Sequence, residues 1–135
     1  MSVGVAFEIL YKEYYVRVFG LCRRLLNSAS LAEDAAQETF MRAYQNFNRY
    51  DTDQPFWHWI ASIANNHCVD LLRRNYRHRK LFGDEEDESR HLETEDTNSI
   101  NFIDEEELSL LTAAISQLPD KYRVPLVLAY FSECS

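Results

Sequence analysis

A row of amide, carboxylate and guanidinium side chains occupies positions 66 to 77, with its members three or four residues apart. Guanidinium groups bind phosphate through paired hydrogen bonds, and an asparagine amide can hydrogen-bond the edge of a base. If the stretch is helical, this spacing puts the row on one face, which favours nucleic-acid binding over a merely solvated helix surface. The members of the row are Asn66, Asp70, Arg73, Arg74 and Arg77.

Three aromatic residues stand shortly before this row. An exposed aromatic ring beside cations can stack on an unpaired base, a contact worth about 1–3 kcal/mol per base. The apolar spacing assigns Phe56 and Trp59 to the core and leaves Trp57 open to either interpretation.

Residues with the spacing of a catalytic or metal site are scarce. The three glycines are scattered, so there is no glycine-rich phosphate loop, and no serine has the surroundings of a nucleophile turn. His67 and Asp70 share a helix face, but no second histidine or glutamate pair supports a metal there. We therefore predict no catalytic residue, no metal, no cofactor and no enzymatic activity.

Charge is distributed unevenly along the 135 residues, whose formal net charge is −8. Residues 1–83 hold 11 basic and 8 acidic side chains, whereas residues 84–107 hold 12 acidic side chains and one arginine. The overall acidity therefore belongs to one segment, and the mildly basic first part contains the arginine cluster. This asymmetry is typical of a nucleic-acid-binding domain with an acidic linker, although a solvated helix end with an acidic tether would look the same.

The cysteines and the apolar runs indicate the compartment. Three widely spaced cysteines suggest reduced thiols, and Cys22 and Cys68 fall at or next to apolar positions typical of core thiols. No apolar run approaches the roughly 18 residues that a membrane helix needs. We therefore predict a cytoplasmic protein without membrane insertion.

The spacing of apolar residues predicts an all-α protein. A first helix covers about 5–26, and Ser30 is predicted to cap a second helix with Glu33 completing a capping box. A polar loop follows at 48–54, and Pro55 suits the first turn of a third helix that runs into the arginine cluster.

The remainder of the chain is predicted to hold a linker and a helical pair. The acidic stretch up to about residue 99 has no periodicity and is interpreted as a linker. Asp104 is predicted to cap a helix with Leu108, Leu111, Ile115 and Leu118 on its inner face. Leu118-Pro119-Asp120 ends that helix. Asp120 is predicted to start another helix, which covers Lys121 to about Phe131.

Three stretches of the chain resemble a known family. Residues 34–44 (DAAQETFMRAY) and 56–74 (FWHWIASIANNHCVDLLRR) are similar to region 2 of bacterial extracytoplasmic-function (ECF) sigma factors. Residues 118–131 (LPDKYRVPLVLAYF) are similar to the start of their region 4. The resemblance implies that 1–80 is region 2, 81–104 an acidic linker, and 105–135 the first part of a region 4 without its helix-turn-helix.

The resemblance also implies a function. Such proteins direct core RNA polymerase to promoters and melt the minus-ten element, with the second helix docked on the clamp helices of the β′ subunit, and the β subunit a further partner. The loop before the third helix captures a flipped base of the non-template strand. The implied polymerase-binding residues are Asp34, Gln37, Glu38, Phe40 and Arg42. The implied DNA-binding residues are Asn48, Arg49, Asp51, Asp53, Asn65, Asn66, Asp70, Arg73, Arg74 and Arg77.

The resemblance further implies an anti-sigma factor as a partner, and a linker that follows the RNA path of the polymerase. Two other functions remain open on the sequence. A sigma-like mimic would bind an anti-sigma protein without binding DNA, and it should have lost the cationic face of the third helix. An enzyme or a metal sensor built on the helical bundle would use His67, Asp70 or the cysteines.

Overall fold

The fold is helical, as the apolar spacing predicts. The structure is a computed structural model that describes residues 3–81 and 105–130. Within these ranges there are five α-helices and no strand. They are α1 (Val3–Leu26), α2 (Ala29–Gln45), α3 (Phe56–Leu81), α4 (Glu105–Ser116) and α5 (Asp120–Tyr130), with a short 3-10 helix at Phe47–Arg49 between α2 and α3.

The turn between α1 and α2 is set by a left-handed residue. Asn27 has φ 58°, and its backbone N–H donates to the carbonyl of Arg23 at 2.8 Å, which ends α1. Asparagine tolerates this conformation better than most residues. Ser28 follows in extended conformation, and its hydroxyl accepts a hydrogen bond from the N–H of Leu31 at 3.2 Å. The predicted cap was therefore wrong: Ser28 caps α2, and Ser30 lies inside the helix.

Helices α1, α2 and α3 pack around one core. Val18, Leu21 and Leu25 of α1 and Ile60 of α3 are at most 2% exposed. The face that α2 buries is built mainly from alanines, which let its backbone approach its neighbours closely. These are Ala32, Ala35, Ala36 and Ala43.

The two cysteines of this core are free and fully buried, which confirms that Cys22 and Cys68 are core thiols. A hydrogen bond with Cys68, together with burial, raises the pKa of the Cys22 thiol. Because thiolates rather than thiols are the reactive species, Cys22 is held in an unreactive form.

Helices α4 and α5 are joined by a short turn and each packs against α1, with Ile115 and Val127 buried in the same core. We call these two helices and their turn the hairpin. The break at Pro119 and the start of α5 at Asp120 are as predicted. The predicted linker, the Asp104 cap and the side chain of Leu108 lie outside the described residues. None of the described helices has the length and apolar composition needed to cross a bilayer.

Candidate functional site

The polar row of α3 lies on the surface, as its residue types suggested. The side chains of Asn66, Asp70, Arg73, Arg74 and Arg77 are all exposed. Helix α3 has 26 residues, and its apolar side packs on α1 and α2 only as far as Leu72. The charges of this row are therefore open to a large anionic partner.

The last part of α3 extends beyond the three-helix core. From Arg73 to Leu81 no residue is buried, and only Arg79 is half-buried. Lys80 places its ammonium 5.5 Å from the ring centroid of Tyr76 on this segment. The segment is cationic and open on every side. Tyr76 was not among the predicted site residues, although an exposed aromatic between arginines could have suggested it.

Asn65, another predicted DNA-binding residue, lies beside this row but is less accessible. Its side chain is half-buried, and among the described residues its Oδ1 atom is buried without a hydrogen-bond partner. A buried carbonyl oxygen without a donor is costly, and this atom does not lie on the open surface of α3.

The loop before α3 is held by its own hydrogen bonds. The carboxylate of Asp51 accepts from the N–H of Asp53 at 3.0 Å, and the carbonyl of Asp51 accepts from the N–H of Gln54 at 2.9 Å. The side chain of Asp51 therefore helps to shape the turn. Asn48, Arg49 and Asp53 are exposed around it.

An aromatic platform supports this loop. The ring of Tyr50 lies 5.0 Å from that of Trp59 and 5.5 Å from that of Phe56, and it stacks on Phe47 at 6.1 Å. The hydroxyl of Tyr50 donates to the carbonyl of Gln54 at 2.6 Å, which closes the loop onto the platform. Tyr50 was not predicted as part of the site, because its role depends on contacts across the loop.

Trp57 is not an exposed stacking group. Its side chain is only 3% exposed, it stacks on Tyr14 at 6.5 Å, and the guanidinium of Arg17 covers its ring at 4.1 Å. The stacking interpretation of Trp57 is therefore excluded, and the ring acts as a contact between α1 and α3.

A second polar face lies on α2. Asp34 and Gln37 are exposed, and Glu38 and Arg42 are half-exposed and form an ion pair at 2.9 Å. The amide of Gln37 donates to the hydroxyl of Tyr11 at 3.1 Å, which orients it from α1. This face offers carboxylates and an amide on a rigid helix, an arrangement that complements a basic protein surface.

The structure corrects one predicted member of this face. Phe40 is only 3% exposed and packs on Phe7 and Tyr11, with ring centroids 6.2 Å and 4.8 Å away. Its side chain belongs to the core and is unavailable to a partner. Met41 and Tyr44 are 56% and 53% exposed on the outward side of α2, and the sequence pattern missed them.

His67 connects the two polar faces. Its side chain is 9% exposed, and within the described residues its Nδ1 atom has no hydrogen-bond partner. Burial lowers its pKa, and the charges of Arg42 and Arg74 lower it further against the opposing effects of Glu38 and Asp70. Charged residues of both α2 and α3 therefore act on this one imidazole.

The described residues contain no group of three or more histidine, cysteine or acidic side chains placed to hold a metal ion. His67 is buried whereas Asp70 is exposed, so the two predicted metal-binding candidates do not converge.

Comparison with known proteins identifies the class to which this fold and these two faces belong. The Sigma-70 region 2 family matches residues 10–78. This match includes most of α1, all of α2 and almost all of α3.

Individual relatives narrow the class. The chain is 32% identical to the ECF RNA polymerase sigma factor SigW of Bacillus subtilis (strain 168), over 96% of this chain and 73% of the relative. It is also 32% identical to SigM of the same organism, over 92% of this chain and 73% of the relative. SigL of Mycobacterium tuberculosis (strain ATCC 25618 / H37Rv) is 30% identical, over 90% and 67%. The chain belongs to the ECF sigma factors.

Proposed function

We propose that this chain directs core RNA polymerase to promoters and opens the minus-ten element. The observation that carries the proposal is the pairing of an acidic, amide-bearing face on α2 with a cationic face on α3 of one rigid bundle. A protein that holds an enzyme on one surface and a DNA strand on an adjacent one needs both faces at a fixed separation. The chain acts in the cytoplasm, where promoter DNA and polymerase are found.

Docking on polymerase uses the outward face of α2. Asp34 and Gln37 are exposed there, and Glu38 is held in place by its ion pair with Arg42. Met41 and Tyr44 add exposed apolar surface beside them. The partner is the β′ clamp helices, whose basic side chains complement these carboxylates, and the β subunit makes further contacts.

Promoter recognition uses α3 and the loop before it. Exposed arginines along α3 bind backbone phosphates, and the exposed amide of Asn66 hydrogen-bonds a base edge. The loop over the Tyr50 platform receives a base flipped from the non-template strand. Extruding a base costs a few kcal/mol, so a loop that compensates this cost for one base only confers selectivity.

The chain after α3 has further roles in this proposal. Residues 81–104 act as the acidic linker that follows the RNA path, and α4 and α5 belong to region 4. An anti-sigma factor holds the protein inactive until a signal releases it.

A sigma-like mimic that binds only an anti-sigma protein is not favoured. Such a mimic has no need of Arg73, Arg74 and Arg77, yet all three are present and exposed. The relatives at 30–32% identity are sigma factors themselves.

Charge reversal on α2 tests the polymerase contact. Asp34→Lys and Glu38→Lys should each weaken binding to core polymerase at least about tenfold, the scale of 1.4 kcal/mol expected when like charges meet across an interface. Affinity is measured by titrating labelled protein with core enzyme. Circular dichroism should show an unchanged helix content, because neither side chain is buried.

Glu13→Lys provides the matched control. Glu13 is exposed on α1, two residues from both Tyr11 and Tyr15, and therefore on the opposite side of α1 from the tyrosines that contact α2. This variant makes the same charge change and should bind polymerase like the parent. Equal affinities for all three variants would reject the docking face.

A further inference from the structure

The C-terminal end of α1 carries an unusual contact. An α-helix leaves its last carbonyl groups without intrahelical partners, and the helix dipole makes this end negative. In this structure two of those carbonyls, on Arg24 and Leu25, accept hydrogen bonds from Arg123 of α5. The Nε atom of Arg123 lies 3.1 Å from the first oxygen, and Nη2 lies 2.8 Å from the second.

The guanidinium of Arg123 is also held within its own hairpin. Its Nη1 atom donates to the carbonyl of Leu118 at 3.2 Å, and Nη2 pairs with the carboxylate of Asp120 at 2.8 Å. Arg123 is only 3% exposed. The rigid fork of a guanidinium suits this bridging of two elements, whereas a lysine ammonium lacks the geometry.

A second polar contact joins the same two parts. The amide of Asn27, in the turn after α1, donates to the carbonyl of Ser116 at the end of α4 at 3.1 Å. Besides Arg123, the buried residues described in the hairpin are Ile115 and Val127. Leu111, Val124 and Leu128 are partly buried against the same core, so polar contacts to the end of α1 and apolar burial together hold the hairpin.

The docked hairpin leaves the other surfaces free. Its packing is on α1, whereas Asp34 and Gln37 of α2 and the arginines of α3 stay exposed. The hairpin therefore docks on a part of the bundle different from the two polar faces that are proposed to bind partners.

We propose that the C-terminal end of α1 is a docking site for the α4–α5 hairpin of the same chain, with Arg123 as the contact that holds it. The hairpin detaches without unfolding the three-helix bundle, and polymerase can bind the α2 face while the hairpin is docked. The statement about polymerase rests on the proposed function.

Paramagnetic labelling tests the docking without polymerase. A spin label on Ala113→Cys, in a chain with Cys134→Ser, should broaden the amide signals of residues 27–31, because Ala113 lies one turn before Ser116 and is exposed. The buried cysteines 22 and 68 should stay unlabelled. Arg123→Ala should abolish the broadening, and Arg123→Lys should abolish most of it. Signals of α2 and α3 outside the turn should keep their positions.

Two further variants make the outcome decisive. Lys121→Ala, on an exposed residue of α5, should retain the broadening. Asn27→Gly keeps the left-handed backbone but removes the bond to Ser116, and it should reduce the broadening from the α1 side. Full broadening in Arg123→Ala would overturn the docking assignment.

The polymerase arm is separate. Arg123→Ala should bind core polymerase within about twofold of the parent, as expected for sites that share no contacts. A larger change would overturn the claim that the α2 face is open in the docked state. If the parent itself fails to bind polymerase, the proposed function fails while the labelling result stands.

Discussion

Individual side chains that look equivalent in the sequence have opposite surroundings in the fold. Phe40 is 3% exposed whereas Met41, the next residue, is 56% exposed, since successive residues of a helix point about 100° apart. Trp57 is buried under Arg17, and Trp59 joins the platform beneath the loop. A shift of one residue along a helix therefore decides whether a side chain is buried or can contact a partner.

His67 gives the molecule a pH-dependent stability. Burial lowers its pKa below the ordinary value of about 6.5, so the unfolded chain takes up a proton at a higher pH than the folded chain. The contribution of His67 to the free energy of unfolding should be constant above a pH of about 6.5. It should fall as the pH drops below the pKa of the unfolded chain. Urea denaturation between pH 8 and about 5.5 measures this slope.

Replacing the imidazole isolates its contribution. His67→Gln cannot titrate in this range, so its unfolding free energy should fall less steeply with decreasing pH than that of the parent. Equal slopes in the parent and in His67→Gln would show that His67 does not couple to folding.

The predicted helices are present in the structure, and the differences lie at the ends of the helices. The cap of α2 was predicted at Ser30, but Ser28 is the serine that follows the left-handed Asn27 in extended conformation. The geometry of the preceding turn thus selects the cap. Similarly, α3 continues to Leu81, although its core contacts end near Leu72, because arginine, lysine and leucine are good helix formers.

The two serines provide a matched test of the cap. Ser28→Ala should lower the free energy of unfolding by about 1 kcal/mol, because the N–H of Leu31 loses its acceptor. Ser30→Ala, inside α2 and exposed, should stay within about 0.5 kcal/mol of the parent. Chemical denaturation measures both. A larger loss of stability for Ser30→Ala than for Ser28→Ala would place the cap at Ser30.

The molecule as a whole combines an acidic composition with a cationic working surface. Its net charge is −8, yet the exposed end of α3 carries arginines at 73, 74 and 77. Charged residues of both faces, on α2 and on α3, act on the imidazole of His67.

Salt dependence tests whether this surface binds DNA, as we propose. In the holoenzyme, Arg73→Ala or Arg74→Ala should weaken promoter binding and reduce the slope of log K against log salt by about 0.7–0.9 for each phosphate that is no longer neutralised. Lys12→Ala removes one charge from α1, where Lys12 pairs with Glu8 at 3.7 Å, and should keep the parent slope. An unchanged slope in the arginine variants would place those side chains away from backbone phosphates.

The sequence by itself determined the helical class, the main helices, the core thiols and the exposure of the α3 row. These features follow from periodicity and residue type, which are local properties. The sequence also indicated the family, because the residue types of 34–44 and 56–74 and their order and spacing are distinctive.

Only the tertiary structure decided which residues of each helix face a neighbour. It buried Phe40 and Trp57, built the platform under the loop, brought the α2 and α3 charges together at His67, and placed Arg123 on the end of α1. Residues 25 and 123 meet across 98 positions. No local pattern encodes such a contact, because it depends on how the helices pack and on which backbone groups the packing leaves without partners.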